Sequence, residues 1–212
     1  MAEHGLIFVI SGPSGSGKGT VVDKLLESNE FVLSVSATTR AMRTGEIPDK
    51  SYHFLSREAF EEQIRNNGLL EYNRYVTGDY YGTLRSEAES AIAAGKDLIL
   101  EIDVNGGLQV REKYPDTILI MMIPPSFQIL EHRLRSRGTE SEEKIQKRLQ
   151  VARNELSQMH NYDYVVCNQE GPDGIEAAAK DILEIAHAER QRLDRNRDLI
   201  RSLLNQETKR GE

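Results

Sequence analysis

The run Ser11-Gly12-Pro13-Ser14-Gly15-Ser16-Gly17-Lys18-Gly19-Thr20 carries the residue types of a phosphate cradle. Glycines let a backbone curl until several N–H groups face one anion. A helix that starts at once adds the positive end of its dipole. Lys18 adds a mobile point charge for outer phosphates. Gly12 and Gly17-Lys18 stand at the spacing of a phosphate-binding loop, or P-loop, between a strand and a helix. The pattern departs at Gly19, where the full motif has Ser or Thr; the hydroxyl comes one residue later, at Thr20. The competing reading is a Gly-rich turn with no ligand. The apolar run Leu6–Ile10 before the loop and the amphipathic run after it supply the strand–loop–helix setting the motif requires.

Three further groups of side chains suit phosphoryl chemistry. Glu101 and Asp103 close the apolar run Leu98–Ile102, and two residues apart on one strand they would share a face. An acid at the carboxyl end of a strand beside a P-loop is where nucleotide-bound Mg²⁺ needs an oxygen ligand or a water anchor. Arg133 and Arg137 are four apart, on one face if the helix continues, and Arg148 follows beyond Gly138. Arginines on a glycine-flanked helical segment suit a lid that closes over transferring phosphates. They are equally a solvated face paired with Glu140, Glu142 and Glu143. Arg40, Arg43, Tyr52 and Tyr81 can donate to a second phosphate. Glu71 lies in the apolar setting Leu69-Leu70-Glu71-Tyr72. A carboxylate there accepts from the N1–H and N2–H₂ edge of guanine, with Ser36 and Thr83 donating to the carbonyl side. Adenine presents a lone pair at N1 and leaves the carboxylate unpaired, which a buried site penalises. Taken singly, each of these residues is also an ordinary turn or strand residue.

Cys167, on the apolar run Tyr164–Cys167, reads as a small buried hydrophobe. The five histidines show no metal-ligand spacing.

The elements that must position these groups alternate as in an α/β fold. Strands are expected over 5–10 and 31–36, with a helix over 20–28 between them. Residues 37–83 then break the alternation: turn residues to 50, a short strand over 51–55, a helix over 57–66 capped by Ser56, and extended segments either side of Thr77-Gly78-Asp79. Alternation resumes with helices over 84–94, 106–113, 127–135 and 140–159, and strands over 97–103, 117–123 and 164–167. Thr139 and Glu142 form a capping-box pair. One long, charged helix is expected from Pro172 to about Asn205.

With a net charge of −7, the chain is a poor partner for a nucleic-acid polymer, whose affinity comes from basic patches. A small polyphosphate needs only a few gathered cations. No apolar run has the length of a membrane span, and Met1-Ala2-Glu3-His4-Gly5 lacks a signal-peptide pattern. A single cysteine excludes an internal disulfide framework. Together these favour the cytoplasm. Oligomeric state is not legible.

Taken in order, the motifs resemble guanylate kinases of the bacterial type along essentially the whole chain. The matching residues are Gly12-Pro13-Ser14-Gly15-Ser16-Gly17-Lys18, Ser36-Ala37-Thr38-Thr39-Arg40 with Arg43, Gly45-Glu46 and Tyr52, then Gly78-Asp79-Tyr80-Tyr81-Gly82-Thr83. Further matches are Glu101-Ile102-Asp103, Pro124-Pro125-Ser126, and Arg137 to Glu143 followed by Lys147-Arg148. The resemblance implies an α/β P-loop NTPase fold: a mainly parallel sheet flanked by helices over 1–36 and 84–212, a small mixed GMP-binding lobe inserted at 37–83, and a helical lid at about 134–150. It implies the reaction ATP + GMP to ADP + GDP with Mg²⁺. It assigns Gly12 to Thr20 to the ATP phosphates and Asn168 to the neighbourhood of the ATP base. It assigns Lys18, Arg133, Arg137 and Arg148 to the transferring phosphates. Arg40, Arg43, Tyr52 and Tyr81 fall to the GMP phosphate, and Ser36, Glu71 and Thr83 to guanine. Glu46, Glu101 and Asp103 complete the implied GMP site.

Departures from the family pattern sharpen the expectations. Gly19 resembles the adenylate-kinase form of the loop, which moves Mg²⁺ from the loop to ATP and water, with Asp103 as a candidate anchor. Glu101 stands where many members have Asp. The span Glu71–Tyr81 is one residue longer. The alternatives are a P-loop kinase of another nucleotide or sugar phosphate, and a guanylate-kinase-like binding module that does no chemistry.

Overall fold

The run Ile7-Phe8-Val9-Ile10-Ser11 forms β1 and is buried along its whole length, as a strand covered on both faces must be. Side-chain alternation sends Phe8 and Ile10 into one core layer and Ile7 and Val9 into the other. A computed structural model describes residues 4–75, 77–136 and 141–208, without the side chains of 205–208. After β1 come α1 (Lys18–Leu26), β2 (Phe31–Leu33), β3 (Ser36–Thr38), β4 (His53–Phe54), α2 (Arg57–Arg65), β5 (Leu69–Arg74) and β6 (Tyr80–Leu84). Then follow α3 (Arg85–Ala93), β7 (Asp97–Glu101), α4 (Val104–Lys113), β8 (Ile118–Ile123), α5 (Phe127–Ser136), α6 (Glu142–Ser157), β9 (Tyr164–Cys167), α7 (Gly174–Arg190) and α8 (Arg197–Thr208).

Two sheets organise these elements. The larger is wholly parallel, in the order β2-β7-β1-β8-β9. One layer of its core joins α1 and α7 through Val21, Leu25, Ile182 and Ala186; the other takes Ala88 of α3 and Val110 of α4. From β1 the chain crosses to the β2 edge, returns through β7, and then continues to β8 on the other side. The crevice at the carboxyl end of β1 is therefore where an α/β sheet binds ligands. The smaller sheet is mixed, in the order β4-β3-β6-β5, over a core of Ala37, Phe60 and Leu69. Phe60 stacks on Tyr80 at 5.2 Å. Among the described residues no helix is long and apolar enough to cross a membrane.

The structure corrects several local expectations. Residues 31–36 are not one strand. β2 ends at Leu33 after its ladder with β7, and Ser36 opens β3 in the other sheet. β7 likewise stops at Glu101. Asp103 caps α4, accepting from the Gly106 N–H at 2.8 Å, so it does not share a strand face with Glu101. The long C-terminal helix breaks after Arg190. Arg192 turns extended, and the Asn196 side chain donates to the Arg190 and Arg192 carbonyls at 2.8 and 2.9 Å, satisfying groups a continuous helix would have paired. Polar periodicity carries no sign of that break. α6 starts at Glu142 with Ser141 as its N-cap, and Glu142 pairs with Arg135. Thr139 of the expected capping box lies outside the described residues. Cys167 is only half-buried, its sulfur accepting from Gln169 at 3.4 Å.

Candidate active site

The loop between β1 and α1 is built from backbone. Gly12, Gly15 and Gly17 have φ of 148°, 95° and 90°, the region that favours glycine. Close approach reinforces this: a Cβ at Gly12 would lie 2.1 Å from the Met122 carbonyl oxygen. Gly17 caps α1 without a side-chain acceptor, and the N–H groups of Gly17, Lys18, Gly19 and Thr20 find no acceptor among the described residues. Lys18 folds back to donate to the Gly12 carbonyl. Burial lowers its pKa, while the carboxylates of Glu101, Glu155 and Asp103 pull the other way. Thr20, Gly15, Gly17, Arg133 and Asn168 line a cavity of about 410 Å³ beside the loop.

Across the cleft lies a second cavity of about 600 Å³ whose walls include Arg40, Tyr52, Glu71, Tyr81 and Glu101. Strand register explains the convergence. Ser36 on β3 and Glu71 on β5 both pair with Thr83 on the intervening β6. The ladder runs unbroken from Glu71↔Thr83 to Arg74↔Tyr80. Glu71 is 3% exposed and accepts from Thr83 Oγ1 at 2.9 Å. A Cβ at Gly106 would lie 2.7 Å from its Oε2, so glycine there admits the carboxylate. Burial pushes the Glu71 pKa up to about 7, reinforced by Asp103 and opposed by Thr83 and Lys113.

Arg40 is positioned from several sides. It forks onto Glu46 at 2.7 and 3.1 Å, donates from Nε to Tyr81 Oη at 3.0 Å, and lies over the Tyr52 ring. Glu46 also accepts from the Arg43 backbone N–H at 2.7 Å, and its hydrogen bond to Arg40 holds its carboxyl below the usual range. An acid so placed holds Arg40 and the Arg43 backbone to one another. Burial raises the Tyr52 hydroxyl pKa, so it stays a donor. The Arg43 side chain is exposed at the rim.

Of the expected lid arginines, Arg133 donates to the carbonyls of Ser16 and Asn168, and Arg148 donates to Ser14 Oγ. Arg137 lies outside the described residues. Three residues join the site that the motifs did not single out. Asn73 and Tyr75 both donate to the Asp103 carboxylate, at 2.8 and 2.9 Å. Glu155 interacts electrostatically with Lys18 and Asp103, and burial pushes its pKa up to about 7. Periodicity carried the signals. Glu71, Asn73 and Tyr75 alternate along one face, and Glu155 lies two turns beyond Arg148 on the same face of α6.

The donor set bears on a metal. Among the described residues no three acidic, His or Cys side chains form a cage. Asp103 is occupied by Asn73, Tyr75 and the Gly106 N–H, which fits an anchor between the two sheets better than a water anchor. The Glu101 carboxylate lies 3.7 and 3.8 Å from where a Gly19 Cβ would stand and accepts no hydrogen bond among the described residues. An oxygen-ligated divalent ion carried on nucleotide phosphates fits beside Glu101, through water.

The chain is similar to known proteins along most of its length. The guanylate kinase family model matches residues 5–189. The chain is 48% identical over 198 residues to a guanylate kinase of Clostridium tetani, covering 93% of each. It is 46% identical over 209 residues to one of Lactobacillus acidophilus, covering 98% of this chain and all of the other. A crystal structure of guanylate kinase from Anaplasma phagocytophilum superposes with a TM-score of 0.75 at 35% identity, covering 94% of this chain and 95% of the other. The chain belongs to the guanylate kinase family.

Proposed function

We propose that the chain transfers the γ-phosphoryl group of ATP to GMP, giving ADP and GDP. The observation that carries the acceptor is Glu71: a buried carboxylate, opposite the P-loop, with Thr83 on one oxygen. Guanine supplies N1–H and N2–H₂ to such an acceptor, and adenine does not. Arg40, Arg43, Tyr52 and Tyr81 neutralise the acceptor phosphate so that two anions can approach. The acceptor oxygen is already ionised near neutral pH, so catalysis is positioning and charge neutralisation, with no strong base required.

On the donor side, the unpaired N–H groups from Gly17 to Thr20 grip the phosphates and Lys18 leaves the Gly12 carbonyl to reach the outer ones. Arg148, with Arg137, brings charge onto the transferring group from a lid over about 134–150, Arg133 adds its charge from α5 beside the loop, and residues 37–83 form the acceptor lobe. Mg²⁺ carried with ATP would supply charge neutralisation of the phosphates, and Glu101, through water, would hold it. We place the reaction in the cytoplasm, where a lone cysteine and nucleotide substrates are both at home.

A coupled ADP-release assay with GMP, dGMP, AMP, CMP and UMP tests this reading. GMP turning over far faster than AMP, CMP and UMP supports it. Equal rates, or a preference for another base, contradict it.

A further inference from the structure

Asn168 follows β9 and is 5% exposed. Its backbone N–H donates to the Ile123 carbonyl at 2.9 Å, extending the β8–β9 ladder, so its side chain projects from a fixed frame. Its amide Nδ2 donates to the Ser16 carbonyl at 2.8 Å. The same carbonyl accepts from Arg133 Nη1 at 3.4 Å, and Arg133 Nη2 reaches the Asn168 carbonyl at 3.3 Å. The Ser16 oxygen is thus held by two side chains on the outer side of the P-loop.

A trans peptide points its C=O and N–H in opposite directions, and there is no cis bond among the described residues. Holding the Ser16 oxygen outward therefore turns the Gly17 N–H the other way, where it finds no acceptor among the described residues. Gly17 is then glycine for two reasons. Its φ is 90°, and a Cβ there would lie 2.2 Å from Asn168 Nδ2. The contact that orients the peptide also excludes a side chain.

We propose that Asn168 is a positioning residue for the donor phosphates: its amide, assisted by Arg133, locks the Ser16–Gly17 peptide so that the Gly17 N–H is aimed at phosphate before nucleotide arrives. Preorganised N–H donors lose no binding energy to reorientation. The role differs from recognition of the donor base, which proximity to that base would suggest. The inference rests on the donor-nucleotide reading above.

The test compares the full chain with Asn168→Ala and Asn168→Asp; the second keeps the shape but cannot donate to a carbonyl. Calorimetry with inorganic tripolyphosphate reads the loop without a base. Steady-state kinetics with ATP and ITP as donors read the base, since ITP lacks the 6-amino group. GMP affinity monitors the fold. The expected result is a loss of about tenfold or more in tripolyphosphate affinity and in kcat/KM for both donors. The ATP:ITP ratio and GMP affinity should be unchanged, and Asp should be no better than Ala. Unchanged tripolyphosphate affinity with an altered ATP:ITP ratio would overturn the proposal and return Asn168 to base reading.

If neither variant folds, amide NMR of the unsubstituted chain decides. A large Gly17 N–H shift on tripolyphosphate addition, with no change in the Ser16–Gly17 backbone torsions, supports the lock. Torsions that change on addition contradict it. A chain that binds tripolyphosphate through this lock yet does not phosphorylate GMP fails the functional reading and leaves the lock standing.

Discussion

The two halves of the cleft are made of different material. The donor cradle is backbone: glycines at positive φ, N–H groups at a helix start, and one lysine. The acceptor pocket is side chain: Ser36, Glu71, Thr83, Arg40, Tyr52 and Tyr81, drawn from β3, β5, β6 and the loop between β3 and β4. A backbone cradle recognises what all nucleoside triphosphates share, because its N–H groups meet phosphate and not the base. A side-chain pocket can choose a base, and its choice depends on protonation. On the proposed reading, base specificity belongs to one half of the cleft and phosphate grip to the other.

The largest effect that would break this division is at Lys18, the lysine of the cradle. Lys18→Ala should lower turnover by roughly a hundred- to ten-thousand-fold. GMP affinity and the circular dichroism spectrum should stay as they were. Near-normal turnover would remove Lys18 from the chemistry; lost GMP affinity would show that the halves are not separable.

A smaller effect concerns pH. The pKa of Glu71 stands at about 7 without ligand, well above its unfolded value. The native chain therefore keeps a proton that the unfolded chain has lost across this window. Stability from this group is present at acid pH and is lost as pH rises toward 7. Guanine donors need the carboxylate, so GMP binding releases that proton. Calorimetry should show GMP affinity rising roughly tenfold from pH 6 to pH 8, beyond the slope due to the phosphate's own ionisation. Glu71→Gln should keep only the phosphate slope. A rise of the same size in Glu71→Gln would assign it elsewhere.

The smallest expected effect is at the anchor between the sheets. Asn73→Ala removes a donor from Asp103 and should raise the KM for GMP a few-fold, leaving the KM for ATP unchanged. A rise confined to ATP would mean that Asp103 serves the donor side.

The same contrast explains what was legible in the sequence. The cradle is contiguous, so Gly12 to Thr20 displays its spacing directly, and the parallel sheet follows from the apolar runs around it. The acceptor pocket depends on register. Nothing local says that Ser36 and Glu71 flank Thr83, or that the strand read over 31–36 splits between two sheets, because cross-strand pairing is a non-local outcome. Residue chemistry proposed Ser36, Glu71 and Thr83 as a guanine-reading set and the resemblance implied the same set, while taken singly each was also an ordinary turn or strand residue. Asn73 and Tyr75 were missed although they alternate with Glu71, since alternation shows a shared face but not the Asp103 it meets. Glu46 belongs to the GMP site that the resemblance implies, and the structure adds that it holds Arg40 in place, a contact that register-free sequence reading does not show.

The most direct test of base choice by a buried carboxylate is the ratio of kcat/KM for GMP over AMP, measured in the unsubstituted chain and in Glu71→Gln at pH 8. Removing the acceptor charge while keeping the shape should reduce the preference for GMP by roughly ten- to a hundredfold, with the KM for ATP unmoved. A preference that survives the substitution intact would contradict the account and place guanine recognition on other side chains.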